Sequence, residues 1–254
     1  MPKITLLLLT HNEQEKIEKN FGWLDVCPSI NEIIAIDDNS EDKTVEKVKK
    51  LQSKFRTVRV FSRGLNNDFS AQRNFGVSKS TNDWILWLDA DETVRKDFID
   101  FISHIDNNKY YNYAFRRHDI FLGHELKHGE TSSQYFLRLF NQKHGKFTGQ
   151  VHEIWQSDKP IFHSNCFITH TSHTTLRSFF NKINLYSDIR SQELYQNGVK
   201  TNLFQIVFYP KVKFIQNYLF RLGFLDGTPG IILALGMSFH SFLVRAKLWH
   251  LSSQ

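Results

Sequence analysis

The chain has 254 residues and a formal net charge of +6, and its hydrophobic fraction of 41% and charged fraction of 23% are ordinary for a globular protein. Two cysteines far apart in sequence, Cys27 and Cys166, exclude a disulfide framework and favour a reducing, cytoplasmic compartment. The basic balance suits an anionic partner such as nucleic acid, a phosphorylated ligand or an acidic membrane surface. The amino terminus lacks the features of a signal peptide, and we expect no apolar run long enough to span a bilayer as a helix.

The first hundred residues alternate between apolar strands and polar, charged helices. This pattern predicts helices over 12–24, 40–55 and 70–80, the second of them capped by Ser40, and strands over 4–9, 32–36, 57–61 and 84–88. Strand and helix at this spacing indicate right-handed crossovers and an α/β fold with a mostly parallel sheet. Ligands of such sheets lie at the carboxyl ends of the strands.

From about residue 110 the pattern changes to short strands, which we expect to be mostly antiparallel. They are predicted over 111–123, 134–141, 151–156 and 166–172, and helices are predicted from about 175 to the end. No internal repeat or flexible linker interrupts the chain.

Polar and acidic residues follow three of the predicted strands. The segments are Thr10–Glu13, Asp37–Ser40 and Asp89–Glu92. Loops are often polar for reasons of turn formation alone, but three clusters at consecutive strand ends favour a ligand site. Asp89 and Asp91 lie two apart and would point the same way in an extended chain, so their oxygens could converge on Mg²⁺ or Mn²⁺.

Two common phosphate-binding motifs are absent. The sequence has no G-x-x-x-x-G-K-[ST] loop and no G-x-G-x-x-G after the first strand, which argues against a P-loop protein and against a dinucleotide-binding dehydrogenase. No nucleic-acid-binding motif is found either, so we expect no nucleic-acid partner. The remaining candidate ligand is a nucleotide whose diphosphate is held through a divalent metal ion.

The stretches TLLLLTHNEQEKI, EIIAIDDNSEDKTVE, SAQRNFGV and WILWLDADE, in this order and spacing, resemble the family-2 glycosyltransferases with the GT-A fold. The second half resembles the branch that adds glucose to the heptose region of the lipopolysaccharide inner core. FLRLFN, FTGQVHEIW, NKINLYSDIRSQEL, FLDGTPG and RAKLW carry that likeness. The resemblance implies a GT-A, Rossmann-like nucleotide-sugar-binding domain over 1–174, with a nucleotide-binding half (1–110) and an acceptor half (111–174).

The resemblance also implies roles for residues at the first two strand ends. Thr10, Asn12 and Glu13 would line the nucleoside pocket of a UDP-sugar donor. Asp38, with Asp37 beside it, would accept hydrogen bonds from the uracil ring. The family often has glycine where Asn39 and Lys43 stand, so the shape of this loop could differ.

Further roles concern the diphosphate and the acceptor. By the resemblance, Arg73 would approach the donor near the diphosphate, Asp89 would contact ribose or phosphate, and Asp91 would hold the metal, with Asp89 as a second candidate ligand. Glu153 would be the catalytic base. Its neighbour His152 points to the opposite face of a predicted strand, and its pKa near neutrality makes it the alternative base; a purely structural Glu153 is the other alternative.

Two more residues are candidates from the pattern itself. Arg138 lies between apolar residues in FLRLF, where it either pairs with an acid of the site or faces solvent. His170 is a candidate extra metal ligand or diphosphate contact. A zinc site of His163, Cys166, His170 and His173 is disfavoured, because strand alternation divides these residues between two faces.

Residues 175–254 form a predicted helical region that associates with a membrane or with a second subunit. Bulky apolar residues dominate positions 203–249, and the basic residues outnumber the single acid, Asp226; they are Lys211, Lys213, Arg221, Arg245 and Lys247. This composition is typical of an element that lies on an anionic membrane. Burial against the catalytic domain or in a homodimer is the alternative, and Ser238, His240 and Ser241 make the last segment too interrupted to span.

The resemblance therefore implies an inverting, metal-dependent glycosyltransferase. It would move one sugar, glucose, from a UDP-sugar to a lipid-linked saccharide such as the lipopolysaccharide core, at the inner face of the cytoplasmic membrane. The Q-x-x-R-W signature of processive synthases is absent, which favours single-sugar transfer. A sugar-phosphate nucleotidyltransferase and a non-catalytic, membrane-associated nucleotide-sugar-binding protein are the alternatives.

Overall fold

The structure is a computed structural model that describes residues 1–66, 68–105, 112–129, 134–149 and 154–253. Within it, residues 1–117 and 134–170 form one unit, and residues 118–133 and 171–254 form a second. The predicted boundary at residue 174 stays a prediction.

A sheet with the strand order β3-β2-β1-β4-β8-β6-β11-β5 organises the first unit. Its strands are β1 (Ile4–Thr10), β2 (Ile30–Asp37), β3 (Thr57–Ser62), β4 (Trp84–Asp89), β5 (Glu92–Val94), β6 (Asn112–Phe121), β8 (Tyr135–Asn141) and β11 (Ile161–His173); β7 (His124–Leu126) pairs with the end of β6. A separate two-stranded sheet joins β9 (Gly145–Thr148) to β10 (Ile154–Ser157).

Strands β3, β2, β1 and β4 are parallel, as predicted. The apolar side chains of β1 are almost completely buried, since both faces of this central strand are covered, and this explains why it reads as an uninterrupted apolar run. Helix α3 (Phe69–Lys79) lies close to β1: a Cβ added at Gly76 would overlap the side chain of Leu7. Because the strands are parallel, the ends of β1, β2 and β4 meet at one edge.

Two of the predicted helices are shorter than expected. The segment 12–24 divides into helix α1 (Gln14–Asn20) and a 3-10 helix (Gly22–Val26), with Gly22 at the junction. Helix α2 (Thr44–Lys49) begins four residues after Ser40, so the capping prediction was wrong. The hydroxyl of Ser40 instead donates to Asp37, and the turn before α2 is held by the Asp42 carboxylate, which accepts the Thr44 N–H at 2.9 Å.

The remaining strands of the first unit are antiparallel, as predicted. Strand β8 pairs with β4 and β6, and β11 pairs with β5. Strand β11 begins five residues before the predicted 166–172 and ends one residue after it. Helix α4 (Lys96–Ser103) buries Phe98, Ile99 and Ile102. The large core cluster continues through this helix and β1, β2, β4, β6 and β8.

Helices dominate the second unit, as the sequence predicts. They are α5 (Leu176–Gln196), α6 (Leu203–Ile215) and α7 (Gly227–Ser252), with a π-helical turn at Gln216–Phe220. Phe121, Leu126, Phe179 and Ile183 form a small buried core, against which residues of α7 pack.

The expectation that no segment is long enough to span a membrane was wrong. Within the described chain, residues Gly223–Ser252 form one helical stretch that contains an 18-residue window with a mean hydropathy of 1.4, and its length and composition would suffice to cross a bilayer. Ser238, His240 and Ser241 do not interrupt α7, and the Ser238 hydroxyl donates to the Pro210 carbonyl at 2.8 Å. Length and composition alone do not establish that the helix spans.

Candidate active site

Asp37 organises the ends of β1 and β2. This buried carboxylate accepts hydrogen bonds from the Thr10 hydroxyl at 3.0 Å, from the Ser40 hydroxyl at 2.6 Å and from the Ser40 N–H at 2.9 Å. Its oxygens are therefore committed to the loop. The next residue, the half-buried Asp38, uses one carboxylate oxygen to accept the Leu65 N–H at 2.8 Å.

Asn12 ties the loop after β1 to the loop after β2. Its side-chain oxygen accepts the Glu41 N–H and its own N–H donates to the Ser40 hydroxyl, both at 2.9 Å. Asn12 and Asn39 have φ angles of +54° and +52°, a left-handed conformation that favours glycine and that asparagine tolerates. Asn39 therefore keeps the backbone shape that the family's usual glycine would allow.

Glu13 and Asp91 are linked through Lys16. Its N–H donates to the Thr44 hydroxyl at 2.7 Å, and its carboxylate lies 2.7 Å from the Lys16 ammonium. The same ammonium is 3.9 Å from the Asp91 carboxylate. On its other side, Asp91 Oδ2 lies 3.6 Å from Nε2 of His170. Asp91 and His170, two predicted metal ligands, are thus brought together.

Asp89 faces a different set of neighbours. The Trp87 indole N–H donates to Asp89 Oδ1 at 3.2 Å, and the Arg138 guanidinium donates to Oδ2 at 3.1 Å. The Arg73 guanidinium lies 3.9 Å from Oδ1. The Asp89 side chain is still 39% exposed, so this carboxylate is held by Trp87 and Arg138 and remains accessible to solvent.

Asp89 and Asp91 contact different partners, and their convergence on one metal ion stays a prediction. The expectation assumed an extended chain, but β4 ends at Asp89, and Ala90 and Asp91 form a turn before β5. As a result, Asp89 approaches the arginines and Asp91 approaches His170. The role of Asp89 as a metal ligand stays a prediction.

Glu92 and Arg138 form a buried ion pair behind Asp89. The carboxylate and the guanidinium nitrogen are 2.5 Å apart, and Glu92 also accepts the Asp89 N–H at 3.2 Å. Burial raises the pKa of Glu92 and the charge of Asp89 adds to that shift, although Arg138 opposes it. Burial would lower the pKa of Arg138, but the attraction of Glu92 and Asp89 outweighs it and raises that pKa. The solvent-facing alternative for Arg138 was therefore wrong.

Trp87 serves as a platform for both arginines. The guanidinium carbon of Arg73 lies 3.4 Å from the centroid of its ring, and that of Arg138 lies 4.2 Å away. Such stacking is favourable for desolvated guanidinium groups. Arg73 is almost completely buried, so in this structure it lies behind Asp89, and its predicted contact with the donor stays a prediction.

The described residues offer only part of the ligand set of a divalent metal ion. Among the described residues, no group of three or more His, Cys, Asp or Glu side chains is arranged to hold a metal, and this includes the zinc alternative. Mg²⁺ and Mn²⁺ need fewer protein ligands, because in nucleotide sites one or two carboxylates act together with substrate phosphates. The Asp91–His170 pair fits such a partial set.

Two predicted catalytic residues, His152 and Glu153, lie outside the described residues, and their roles stay predictions. Three residues near the predicted ones received no role from the sequence. Glu92 stands within the quoted acidic stretch, and its proximity to Asp89 and Asp91 was a usable signal. Trp87 reads as an ordinary core residue of an apolar strand, and Lys16 reads as a surface residue of a helix, so neither carried a signal.

Comparisons with known proteins bear on the family and the fold of this chain. The model of Glycosyl transferase family 2 matches residues 5–168. An uncharacterized glycosyltransferase of Rickettsia typhi is 27% identical over 274 aligned residues, which cover 99% of this chain and 88% of that protein. The glycosyltransferase SunS of Bacillus subtilis is 34% identical over 96 residues, which cover 38% of this chain and 22% of SunS.

Among solved structures, this chain is similar to the mannosyltransferase PcManGT from Pyrobaculum calidifontis, determined in complex with GDP-Man and Mn²⁺. The match covers 97% of this chain and 87% of that one, with a TM-score of 0.56 and 10% sequence identity. At this identity the likeness concerns the fold alone, and the predicted GT-A type of α/β fold is confirmed.

Proposed function

Because this chain belongs to glycosyl transferase family 2, and is a glycosyltransferase, we propose that it moves one glucose unit from a UDP-sugar to a lipid-linked saccharide such as the lipopolysaccharide core. The observation that carries the proposal is the edge where β1, β2 and β4 end. There the two loops joined by Asn12 lie beside an acidic pair, Asp89 and Asp91, whose members are held by different partners.

The proposed donor site has a nucleoside part and a diphosphate part. Asp38, Asn12 and Glu13 line the nucleoside part, and Asp37 holds the loop that carries Asp38. Asp91 and His170 would hold Mg²⁺ or Mn²⁺, which supplies Lewis-acid stabilisation of the leaving diphosphate when bound. The Mn²⁺ and GDP-Man bound by PcManGT support a nucleotide-sugar donor and a divalent ion for this chain as well.

The proposed reaction is a single displacement with inversion. The acceptor hydroxyl oxygen attacks the anomeric carbon while the bond from that carbon to the diphosphate oxygen breaks. Glu153 accepts the hydroxyl proton, and His152 is the alternative base. Asp89 contacts the ribose or a phosphate of the donor, and the buried Arg138 and Trp87 fix the direction of its carboxylate.

The proposed place of action is the inner face of the cytoplasmic membrane, because a lipid-linked acceptor is confined to a membrane and the two free cysteines suit a reducing compartment. The nucleotidyltransferase and the non-catalytic binding protein, the two alternatives from the sequence, receive no support from the related proteins.

The experiment is a panel of nucleotide sugars with and without Mn²⁺, measured by thermal stabilisation and by slow hydrolysis of the donor. A hundredfold excess over the Kd predicts about 2.7 kcal/mol of stabilisation. We expect UDP-glucose to give the largest shift and Asp91→Asn to abolish its Mn²⁺-dependent part. Asp83→Asn is the matched control, since Asp83 precedes the opposite end of the same strand and pairs only at the surface with Lys143. If no nucleotide sugar stabilises the protein, the proposed function is wrong; if Asp91→Asn binds normally, the metal assignment is wrong.

A further inference from the structure

The exposed side of helix α6 is apolar. Exposed large apolar side chains lie along two adjacent rows of positions four residues apart, which continue into the π-helical turn and are each interrupted once, by Lys211 and by Gln216. The residues are Leu203, Val207, Ile215 and Leu219 in one row, and Phe204, Phe208, Val212 and Phe220 in the other. Phe204 is 64% exposed and Val212 62%, and α6 contains no buried residue. A surface helix of a soluble protein normally shows the reverse arrangement. These eight residues are called the α6 face below.

A groove runs along the α6 face. It has a volume of about 350 Å³ and a mostly apolar lining, to which Phe204, Phe208, Val212, Lys213 and Gln216 contribute. The Phe204 and Phe208 rings stack with centroids 4.1 Å apart. An apolar slot with an ammonium group beside it matches an acyl chain that ends in a negatively charged headgroup.

The charge around the α6 face is positive. Lys211 lies 5.3 Å from the Phe208 ring and Arg245 lies 4.4 Å from the Tyr209 ring, so both cations stand beside the aromatic groups. The single acid of positions 203–249, Asp226, is buried and accepts hydrogen bonds from the N–H groups of Lys127 and His128. It cannot offset these cations at the surface.

Of the five basic residues that the sequence suggested for contact with a membrane, two make hydrogen bonds or ion pairs within the second unit. Lys247 is bound within the unit, 2.6 Å from the Asp188 carboxylate and 2.8 Å from the Ser187 hydroxyl. Arg221 donates to Asn217 at 3.1 Å. Lys211 and Arg245 lie beside aromatic rings of α6 and Lys213 lines the groove, so these three cations belong to the α6 face.

We propose that the α6 face docks on an anionic lipid bilayer, with its apolar residues inserted at the interface and Lys211, Lys213 and Arg245 directed to the lipid phosphates. A second copy of the chain is the less suitable occupant. In a twofold dimer the same face would meet itself and its cations would approach like charges, because the single acid of positions 203–249 is the buried Asp226. The inference deepens the proposed function, because it assigns the surface that brings the enzyme to a lipid-linked acceptor.

The test is flotation of the full chain with vesicles of phosphatidylcholine alone and of phosphatidylcholine with phosphatidylglycerol. A basic residue near an anionic surface changes binding by about fivefold. We therefore expect Lys211→Gln with Lys213→Gln to reduce binding to the anionic vesicles by roughly twentyfold and to leave weak binding to neutral ones unchanged. Phe204→Ser with Phe208→Ser should reduce binding to both kinds of vesicle, and high salt should release much of the wild-type protein.

Lys54→Gln with Phe55→Ser is the matched control. Phe55 is exposed and Lys54 lies 4.8 Å from its ring, so this pair in the first unit copies the local chemistry without the surrounding face. The control should float as the wild type does. Equal flotation of all four proteins would overturn the proposal.

Two further outcomes would also overturn it. A dimer in solution that Phe204→Ser with Phe208→Ser converts to monomers, with flotation unchanged, would assign the face to a second copy. Protein that resists both high salt and alkaline extraction would indicate that α7 crosses the bilayer instead. Donor hydrolysis in solution is measured in parallel, so a failure of membrane binding is distinguishable from a failure of the proposed function.

Discussion

The parallel part of the sheet has a buried carboxylate near each end, and the two are held differently. At the amino end, Glu32 accepts hydrogen bonds from the hydroxyl groups of Thr5, Ser80 and Thr81, from the Thr81 N–H and from Arg59. Both of its oxygens have at least two donors, which satisfies a buried carboxylate.

At the carboxyl end, Glu92 shares its guanidinium partner with Asp89. Arg138 donates to both carboxylates from the same nitrogen, Nη2, while its Nε has no hydrogen-bond partner among the described residues. Asp89 remains partly exposed. The donors at this end are thus divided between two acids, one of which faces outward.

The pKa values of the two glutamates are shifted in opposite directions. Burial opposes ionisation of Glu32, but hydrogen bonds from Thr5, Thr81 and Arg59 outweigh it and lower its pKa. Burial raises the pKa of Glu92. A fully satisfied carboxylate stabilises the fold, whereas a carboxylate with a raised pKa beside an exposed acid is typical of a functional site. We therefore expect changes at the amino end to affect stability alone and changes at the carboxyl end to affect transfer.

The largest effect should come from Arg138→Met. Removing one partner of a buried ion pair leaves the other charge uncompensated, and the expected loss is about 3–5 kcal/mol of unfolding free energy, together with loss of transfer. Arg59→Met is the matched change at the amino end. Arg59 is 41% exposed, so its loss should cost about 1 kcal/mol or less and leave transfer intact. Urea unfolding and donor turnover measure both, and equal losses in the two variants would break the comparison.

The second prediction concerns the base. Glu153→Gln should reduce transfer by roughly 10² or more, because the proton of the acceptor hydroxyl loses its acceptor. Donor binding and unfolding free energy should stay near the wild-type values. His152→Ala is the companion variant, and a larger loss of transfer in that protein would show that the neighbouring histidine is the base.

Glu32→Gln should separate stability from transfer at the amino end. Because the folded pKa of Glu32 is lowered, its ionised form contributes stability above the unfolded pKa of about 4.3, and that contribution disappears as the pH falls through the folded value. We expect a loss of about 1–3 kcal/mol at pH 7, a smaller difference from wild type below pH 4, and normal transfer at pH 7. A difference that grows on acidification would reverse the assigned sign.

Much of the parallel half could be predicted from sequence. Strands β1, β2 and β4 read as continuous apolar runs because both faces are buried, and the carboxyl ends that carry Thr10, Asp37 and Asp89 follow from parallel topology. The apolar runs predicted the first and last residues of these three strands to within two residues. They also placed the polar residues of the candidate site at one edge.

The remaining features depend on contacts between distant segments. The burial of Glu32 depends on Thr81 and Arg59, which come from other parts of the chain, so its sequence neighbours do not reveal it. Arg138 meets Asp89 and Glu92 because β8 pairs antiparallel with β4, and a pairing between strands about 50 residues apart leaves no periodic signal. The turn at Ala90 and Asp91 was missed because apolar and acidic residues were read as one extended segment.

The smallest expected effect concerns the Trp87 platform. Trp87→Leu removes the ring that both Arg73 and Arg138 stack upon, and each such contact contributes about 0.5–2 kcal/mol, so transfer should fall roughly tenfold. Trp87→Phe keeps a ring but removes the N–H that donates to Asp89, and a fall of about threefold in transfer is expected from one lost hydrogen bond.

Trp84→Phe is the control. Trp84 is the first residue of β4, at the opposite end from Asp89, and its indole packs against Tyr113. This variant should lower the urea midpoint without changing the KM for the donor or kcat. If Trp84→Phe and Trp87→Phe reduce transfer equally, Trp87 acts only by packing, and the two ends of β4 do not differ in the way argued from Asp89 and its arginines.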